Sequence, residues 1–548
     1  MRNRKTITLL LAAIMLLTLF AGCGQKPAAP ESENPTENNE PVAQSARDKR
    51  IANNELIVAI GEEPAAGWDS TTGGHGSLTR LIFSPLFRRD KALGWEGDLA
   101  TGYEVSEDRL TWTVAIREDA KFTDGTPVTA QDVAYTYNTA KVSGSDIDLT
   151  IVDSVTAIDE HTVAFKLTRV YSTFVERMAL LGIIPEHAHS DSFKDEPIGS
   201  GPYKLVQWDK GQQCIFEANE DYYGEAPKIK QITIAFLGTD AAFAAVENGS
   251  VDVAQINGTL AKKEVAGTEV IDIPSIECYG VCFPMIKNEG KTAKDGAVMG
   301  NNVTSDLAIR QALNKAVDRE KIVEGVLNGY GTVSTTGLEK MPWLNEDTVL
   351  DPSEYNDIEG AKKILADGGW ADSDGDGIVE KDGIPAKFDL LYTDGIYRQE
   401  MALEFINIAS QLGIKIELKK TTWDTILPDI HQEAVFYGFG SGDPSELYNL
   451  YYGGIAGGEV AWDNSGVYSN PECDAMIDSA LMAEDEADAL QYWKGLQQYA
   501  SAKGDAPYCW LVNANHVYLA ADGFTFGQPV VQPHGGRIFD NVVEWSWQ

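Results

Sequence analysis

The apolar positions of this chain follow two different periods. In residues 110–116 and 162–167, apolar and polar side chains alternate, which is the two-residue period of half-buried β-strands. In residues 129–141 and 306–327, apolar side chains recur at helical spacing, and Thr129 supplies a helix cap. The mixture of the two patterns predicts an α/β architecture.

The second half of the chain repeats this mixture. Helices are predicted at residues 358–369, 398–412, 474–484 and 487–502, and strands at residues 388–392 and 414–418 and near Trp510 and Val517. Strands that are separated by helices need crossover connections, so we expect largely parallel pairing.

The N-terminal residues have the layout of a secretory signal peptide. Arg2, Arg4 and Lys5 form a basic start, residues 7–20 are almost entirely apolar, and small residues follow. The apolar stretch is short for a membrane span. We therefore expect residues 1–22 to be a cleaved signal peptide, with an uncleaved N-terminal anchor as the alternative.

Residues 20–23, Phe-Ala-Gly-Cys, resemble the lipobox of bacterial lipoproteins. The resemblance implies that Cys23 becomes the lipidated first residue, and acyl chains at about 0.8 kcal/mol per buried CH₂ would anchor the protein stably. Residues 24–47 are rich in Pro, Glu, Asn and Ser and have little to bury. Residues 23–49 are therefore expected to form a lipidated, disordered tether.

Composition limits the kind of protein and its partners. A length of 548 residues allows two or three domains, and 43% hydrophobic with 23% charged residues is typical of a globular chain. The formal net charge of -39 repels phosphate backbones, so nucleic acid is excluded as a partner.

Cysteine usage predicts quiet thiols rather than a disulfide framework. Apart from Cys23, the chain has an odd number of cysteines, so at least one stays unpaired. Cys278 and Cys282 would share one face of a strand, but a zinc site needs further ligands close by. We expect the remaining cysteines to be buried and inert: Cys214, Cys278, Cys282, Cys473 and Cys509.

Four blocks resemble the peptide/nickel family of extracytoplasmic solute-binding proteins of ABC importers, and they occur in the family order. They are DRLTWTVAIREDAKFTDGTPVTAQDV (108–133), PIGSGPY (197–203), IRQALNKAVDR (309–319) and APYCWL (506–511). Together they extend over nearly the whole chain that follows the tether.

The resemblance implies a two-lobe body with mixed β-sheets and a hinge. Lobe I would comprise residues 50–277 and 513–548, and lobe II would comprise residues 278–512. A solute would bind in the cleft between the lobes and stabilise the closed form. The implied partners are the ABC permease and ATPase subunits. We expect a monomer that is anchored at the outer face of the cytoplasmic membrane.

The ligand is less well defined by the resemblance. Peptide-binding relatives place an aspartate shortly before an Asp-Pro or Glu-Pro pair, and the matching position here is Gly440, with Asp443 as a substitute. Nickel-chelate relatives use an arginine four residues before a proline that matches Pro185, and that position is Leu181. A short peptide is the leading ligand and a metal chelate is the alternative.

Aromatic and polar residues supply the candidate ligand contacts. Aromatic rings provide contact area that tolerates varied side chains, and His75 and His534 are candidate metal contacts. Ordinary packing is the alternative for each position. The candidate ligand-binding residues are Trp68, His75, Tyr437, Phe439, Ser441, Asp443 and Tyr448.

Residues 372–377, Asp-Ser-Asp-Gly-Asp-Gly, resemble the start of a calcium-binding loop. The twelfth position is Gly383, where an EF-hand needs a bidentate Glu. A structural calcium ion and a solvated acidic turn are the two interpretations, and no other cofactor is expected. The candidate ligands are Asp372, Asp374, Asp376, Ile378 and Glu380.

No catalytic motif points to an enzyme. The sequence has no Gly-x-Ser-x-Gly elbow, no His-Glu-x-x-His helix and no phosphate-binding glycine loop. We therefore expect a binding protein. A secreted hydrolase is the competing class, because abundant carboxylates bring some pair together by chance.

Overall fold

A computed structural model describes residues 42–548 apart from residues 62, 65, 73–76, 92, 144–146, 424, 459, 485 and 535. The signal peptide, Cys23, His75 and most of the predicted tether lie outside the described residues. None of the helices in the described part is both long and apolar enough to cross a membrane.

The helices occur throughout the described chain. They are α1 (Val42–Asn53), α2 (Ala130–Ala140), α3 (Phe174–Leu180), α4 (Thr239–Glu247), α5 (Gly258–Ala261), α6 (Leu307–Ala316), α7 (Arg319–Gly325), α8 (Ile358–Asp367), α9 (Arg398–Gln411), α10 (Glu446–Tyr451), α11 (Pro471–Leu481) and α12 (Glu486–Leu496).

The strands alternate with these helices. They are β1 (Glu55–Ala59), β2 (Phe87–Arg89), β3 (Trp95–Gly97), β4 (Ala100–Val105), β5 (Thr111–Ile116), β6 (Val152–Ala157), β7 (Thr162–Leu167), β8 (Tyr203–Asp209), β9 (Gln213–Ala218), β10 (Gln231–Ala235), β11 (Val253–Ile256), β12 (Thr268–Ile273), β13 (Cys278–Cys282), β14 (Gly331–Val333), β15 (Glu380–Lys381), β16 (Ile384–Pro385), β17 (Lys387–Thr393), β18 (Lys415–Thr421), β19 (Ala434–Phe439), β20 (Tyr508–Ala514), β21 (His516–Ala521), β22 (Phe524–Thr525) and β23 (Ser546–Trp547).

Three larger sheets organise the fold. A seven-stranded sheet has the order β12-β21-β11-β1-β10-β9-β8, a six-stranded sheet has the order β14-β20-β13-β19-β17-β18, and a four-stranded sheet has the order β4-β5-β7-β6. The predicted α/β class with mixed sheets is confirmed. The prediction of largely parallel pairing is wrong. Among the strands that the structure describes, parallel pairs occur only where β1 meets β10 and β11 and where β17 meets β18 and β19. Hairpins and long antiparallel returns make the other pairs among the described strands.

Local sequence signals explain several elements. The alternation in β5 buries Trp112, Val114 and Ile116 on one face. Helix α2 begins after Thr129, whose hydroxyl accepts from the backbone N–H of Asp132, while the Asp132 carboxylate accepts from the Thr129 N–H at 2.9 Å. This reciprocal capping box satisfies two N–H groups that a helix start otherwise leaves unpaired.

The long helix predicted at residues 306–327 is wrong, because two helices occur there. Helix α6 ends before Val317, which is extended, and the Asp318 side chain then caps α7 by accepting from the Lys321 N–H. Fully buried Arg319 donates to the carbonyl oxygens of Ser334 and Trp510. The break therefore turns an arginine inward to bind backbone carbonyls, which an apolar period does not reveal.

The N-terminal edge of the folded body lies earlier than predicted. Residues 42–53 form α1 rather than the end of a disordered tether. Arg47 is buried, and its Nε lies 3.2 Å from Asp252, which is also bound by Arg50 at 2.6 Å. Because these contacts satisfy a fully buried carboxylate, α1 is held by the folded body.

The buried core is continuous between sheets. One cluster of buried side chains contains Trp112 and Phe165 of the four-stranded sheet together with Tyr437 and Trp510 of the six-stranded sheet. A second cluster covers the other face of the six-stranded sheet, and a third lies along the seven-stranded sheet. The four-stranded and six-stranded sheets therefore pack against one shared core.

Candidate functional site

The parallel strands β18, β17 and β19 are neighbours and end at one edge of the six-stranded sheet. Antiparallel β13 begins at this edge, since Cys278 lies opposite Phe439. We call this edge the carboxyl edge. Loops that follow parallel strands meet at such an edge, which makes it a common place for ligand sites in α/β folds.

The loop of residues 440–446 leaves β19 at the carboxyl edge. The Glu446 carboxylate accepts from the N–H groups of Gly440 and Ser441 at 3.0 and 2.9 Å. Gly440 has φ +145, and a Cβ there would overlap the carbonyl group of Ile276. The loop is thus built on a partly buried carboxylate that binds its backbone and on a position that accepts only glycine.

Asp443 connects this loop to the N-terminal part of the chain. Its Oδ2 lies 2.6 Å from Nη2 of Arg89 on β2, and its Oδ1 accepts from the Ser445 N–H at 2.8 Å. The same Arg89 nitrogen lies 3.4 Å from Glu176, and the guanidinium stacks 3.4 Å from the centroid of the Trp95 ring. One arginine therefore joins two carboxylates that come from distant parts of the sequence.

Burial controls the charge of these carboxylates. Burial and the nearby carboxylate of Glu176 raise the pKa of Asp443 to about 6, against the opposing charge of Arg89. Burial also raises the pKa of Glu446. When the pKa of a carboxylate lies this close to neutral pH, any additional cation beside it stabilises the charged form.

Glu277 precedes β13 at the point where the chain enters the six-stranded sheet. Its carboxylate lies 2.6 Å from His516 Nε2 and 3.2 Å from His534 Nδ1, and it accepts from the Tyr279 hydroxyl at 2.6 Å. Burial alone would raise the pKa of Glu277, but the hydrogen bonds from the two histidines hold it well below its ordinary value. The Ala514 N–H also donates to the Glu277 carbonyl at 2.9 Å, so the two chain crossings between the sheets are bonded to each other.

Aromatic rings form a wall along the same edge. The Tyr437 ring lies 5.1 Å from Phe439 and 6.2 Å from Trp462. Phe439 in turn contacts Tyr508 and Trp510 at 5.7 and 5.6 Å. Tyr437, Tyr508 and Trp510 are buried and Phe439 is partly buried, so in this structure the rings pack on one another rather than face solvent.

The structure brings most of the candidate ligand residues together. Tyr437 and Phe439 lie in the wall, and Ser441 and Asp443 lie in the loop, where the Ser441 hydroxyl accepts from the Asp443 N–H at 3.1 Å. Tyr448 on α10 is buried, and its ring contacts Tyr171 at 6.4 Å.

Trp68 is not at the carboxyl edge. It is fully buried against Trp208 and Phe216 in the core of the seven-stranded sheet, so its role is packing. His75 lies outside the described residues. His534 contacts Glu277 and is partly exposed.

The predicted calcium loop brings its three aspartates together. Carboxylate oxygens of Asp372, Asp374 and Asp376 lie within 4.8 Å of one another, and all three residues are exposed. Asp376 accepts from the Ile378 N–H at 2.8 Å, and Glu380 accepts from the backbone N–H of Ser373 at 2.8 Å. The loop's carboxylates thus already bind its own backbone, and calcium binding stays a prediction.

The five cysteines of the folded body are free and buried, as predicted. Burial raises the pKa of Cys282 and of Cys509 to about 11. Both thiols are therefore protonated and unreactive at neutral pH.

Sheet order, the carboxyl edge and the contact between the two halves define a two-lobe solute-binding fold. The model of the bacterial extracellular solute-binding proteins, family 5 (middle), matches residues 94–458. The chain belongs to this family, and the family membership expected from the four blocks is confirmed.

Two relatives illustrate the similarity at the level of sequence. The chain is 32% identical over 461 residues to Protein XP55 of Streptomyces lividans, covering 80% of each chain. It is 26% identical over 579 residues to the oligopeptide-binding protein AppA of Bacillus subtilis, covering 100% of this chain and 99% of that protein.

Solved structures share the fold. NikZ from Campylobacter jejuni in complex with Ni(L-His) has a TM-score of 0.78 at 24% identity, covering 90% of this chain and 99% of that chain. AppA from Bacillus subtilis in complex with a nonapeptide has a TM-score of 0.76 at 24% identity with the same coverage. The predicted two-lobe fold with mixed sheets is confirmed.

Sequence reasoning missed residues that the fold brings to the site from far away. Arg89 lies 354 positions from Asp443, and Glu277 lies 239 positions from His516. A single arginine on a short strand has no local signature. Glu446 could have been found from the sequence. It lies six residues after Gly440, which follows a strand, and a glutamate at that spacing can bind the backbone N–H groups at the start of the loop.

Proposed function

We propose that the protein captures short peptides between its two lobes and delivers them to the permease of an ABC importer. The observation that carries this proposal is the composition of one segment at the carboxyl edge, where buried Asp443 follows strand β19 with its aromatic residues Tyr437 and Phe439. A carboxylate receives an ammonium group, and aromatic rings accept varied side chains. The AppA structure with a nonapeptide supports the same ligand class.

In the closed form, Arg89 forms an ion pair with Asp443 and neutralises its charge. When the lobes separate, β2 and the loop of residues 440–446 separate with them, and Asp443 becomes available to a peptide ammonium. In the closed form the buried carboxylate needs a cation, either Arg89 or the ammonium group, since an unpaired buried charge costs several kcal/mol. This exchange gives a physical reason for placing Asp443 on a loop that faces the other lobe.

The lobe boundaries belong to this proposal. Lobe I would comprise residues 50–277 and 513–548, and lobe II residues 278–512. Every strand of the seven-stranded sheet falls within the first set, and the six-stranded sheet falls within the second apart from the last two residues of β20. Helix α1 extends lobe I towards the N-terminus through its contact with Asp252.

We also propose that Cys23 is lipidated and holds a monomer at the outer face of the cytoplasmic membrane. The basic start, the apolar stretch and the lipobox support this arrangement. Mass spectrometry of the membrane-extracted protein should show an acylated N-terminal cysteine. Release of the Cys23→Ser variant into the medium would agree, and equal membrane retention of that variant would contradict the anchor.

Peptide capture is tested by native mass spectrometry. The folded body, refolded after denaturant has removed endogenous ligand, is incubated with an equimolar tripeptide and tetrapeptide library. Peptide adducts are expected, and Asp443→Asn should weaken them because it removes the carboxylate that receives the ammonium group. Asp367→Asn on the exposed face of α8 is the matched control and should bind as the wild type does. An empty spectrum across the library would reject peptide capture.

The same sample separates the alternatives. Nickel in elemental analysis after incubation with nickel and histidine would favour a metal chelate, the ligand class of the solved NikZ. We propose that the protein is not an enzyme and releases its ligand unchanged. Hydrolysed peptide in the eluate would favour the competing hydrolase class.

A further inference from the structure

Arg109 reaches across the proposed boundary between the lobes. It lies on the turn between β4 and β5 in lobe I, and its Nη1 donates to the Met482 carbonyl oxygen at 2.9 Å. Its Nη2 donates to the carbonyl oxygen of Ala483. Both acceptors directly follow the end of α11 in lobe II. One guanidinium of lobe I therefore binds two successive carbonyl groups of lobe II.

Ser172 binds the two preceding carbonyl groups of the same helix end. It lies between β7 and α3 in lobe I; its N–H donates to the Leu481 carbonyl oxygen at 2.8 Å, and its hydroxyl donates to that of Ala480 at 3.1 Å. The carbonyl groups at a helix end carry a partial negative charge, which a nearby cation stabilises. The last turn of α11 has no basic residue of its own. Lobe I therefore supplies this helix end with its cation and with four hydrogen bonds.

The backbone conformation of Arg109 is unfavourable for an arginine. Its φ is 59°, in the left-handed region that glycine adopts freely and that other residues adopt at a cost. The turn is held by its neighbours, since the Asp108 carboxylate accepts from the Ser106 hydroxyl at 2.6 Å and from the Leu110 N–H at 3.1 Å. A glycine would therefore suit the turn better, and the contacts with α11 are what the arginine side chain adds.

The contact of Arg109 with α11 can open and close. Arg109 is partly exposed and Met482 is 62% exposed, so water can solvate both partners when they separate. The ion pair of Arg89 with Asp443 differs in this respect, because its side chains are 13% and 3% exposed. A partly solvated contact between the lobes stabilises the closed form without preventing its opening.

We propose that Arg109 and Ser172 form a latch that holds the two lobes together and slows the release of a captured ligand. This inference rests on the proposed function. The latch bonds form only when the lobes are closed, so they stabilise the closed form both with and without a ligand. Arg109 acts on the ligand through the position of lobe II, which makes it a positioning residue and not a ligand contact.

Hydrogen exchange measures the latch directly, because the Ser172 N–H is protected while it donates to Leu481. Mass spectrometry with fragmentation to single residues follows the exchange of the ligand-free wild type, Arg109→Met, Arg109→Gly and Lys166→Met. Ser172 should exchange at least about fivefold faster in both Arg109 variants, since each loses two charge-assisted hydrogen bonds. Arg109→Gly keeps the turn without strain, so faster exchange in this variant does not come from a distorted turn.

Two controls separate the latch from a general loss of stability. The Phe174 N–H donates to the carbonyl oxygen of Tyr171 within lobe I, so its exchange should be the same in all four proteins. Lys166 on β7 pairs with exposed Asp153 on β6 of the same sheet. Lys166→Met therefore removes a cation of lobe I without touching lobe II, and its exchange should match that of the wild type.

Peptide release measures the consequence for the ligand. Each protein is loaded with an isotope-labelled tripeptide and tetrapeptide library and then mixed with an excess of the unlabelled library, and native mass spectrometry follows the loss of the label. Arg109→Met should release the label at least about fivefold faster than the wild type and Lys166→Met do. The selection of bound peptides should be unchanged, because Arg109 does not contact the ligand.

The outcomes distinguish this inference from the proposed function. Equal Ser172 exchange in the wild type and both Arg109 variants overturns the latch while peptide capture stands, and so do equal release rates. If the wild type binds no peptide, the proposed function fails, and the exchange comparison still decides whether Arg109 holds α11, since it needs no ligand. If circular dichroism shows that Arg109→Met is unfolded, Arg109→Gly supplies the same comparison.

Discussion

Replacing Arg89 by methionine should destabilise the protein more than any other single change at the contact between the lobes. Met keeps the aliphatic part of the side chain and removes the guanidinium, which stacks on Trp95 and supplies the charge that Asp443 needs. The two side chains are 13% and 3% exposed, so water cannot replace the lost partner. Truncating one member of a buried ion pair costs about 3–5 kcal/mol, and we expect about 3 kcal/mol because Met preserves packing.

The double variant isolates the charge. Asn at position 443 removes the carboxylate that Arg89→Met leaves unpaired, so Arg89→Met/Asp443→Asn should recover about 2 kcal/mol of the loss in a double-mutant cycle. Equilibrium urea unfolding followed by tryptophan fluorescence and circular dichroism measures each free energy of unfolding. Because Glu176 also approaches Arg89, part of the loss remains in the double variant.

The pH dependence has a definite sign. The pKa of Asp443 in the folded state is about 6, above its ordinary value, so its contribution favours folding below that pH and is lost as the pH rises through 6. Arg89→Met removes the group that lowers this pKa, so the variant should lose more free energy of unfolding at pH 7.5 than at pH 5. A loss below ~1 kcal/mol at pH 7.5, or a double variant no better than Arg89→Met, would refute the pairing.

Three further changes probe the site and the acidic loop. Glu277→Gln should reduce the acid sensitivity of unfolding, because the lowered pKa of Glu277 gives stability that is present above about pH 4.5 and lost as the pH falls. Identical urea midpoints for the wild type and Glu277→Gln from pH 6 to pH 3.5 would contradict this. Gly440→Ala should lower the free energy of unfolding by about 2 kcal/mol or more, since the φ of Gly440 and the Ile276 carbonyl exclude a Cβ. The control Gly442→Ala, whose Cβ would lie 3.4 Å from the Leu93 side chain, should change it by less than ~0.5 kcal/mol. Equal melting temperatures for the two variants would argue against the tight turn. Calcium should raise the melting temperature of the wild type and not that of Asp374→Asn if the acidic loop binds the ion, and a chelator without effect on the wild type would leave a solvated turn.

The fold followed from sequence where local rules decide. Thr129 caps α2 as its residue type indicates, and the alternating run in β5 is a strand with one buried face. The rules failed where distant partners decide. Val317 breaks a helical apolar period because Asp318 caps a new helix and Arg319 turns inward to bind carbonyl groups. Strand direction was also beyond local rules, since long returns place antiparallel neighbours between parallel ones.

The site followed from sequence only in part. Tyr437, Phe439 and Asp443 share one segment, so a single motif located them together. The residues that give this segment its charge, Arg89 and Glu446, were not found, because a lone arginine or glutamate has no pattern. Trp68 was misplaced for the opposite reason: a tryptophan is typical of both a cleft and a core, and only packing separates the two.

The contact between Asp443 and Arg89 also explains how a buried carboxylate can serve a binding protein that is empty for part of its cycle. An unpaired carboxylate in the closed form would favour opening by several kcal/mol, whereas the paired one leaves the two forms closer in free energy. A ligand ammonium group then replaces Arg89 as the partner of Asp443. Its net contribution to the binding free energy is therefore only the difference between two similar ion pairs. Most of the affinity must therefore come from contacts that the empty form lacks, such as those that a peptide's side chains would make with the aromatic wall.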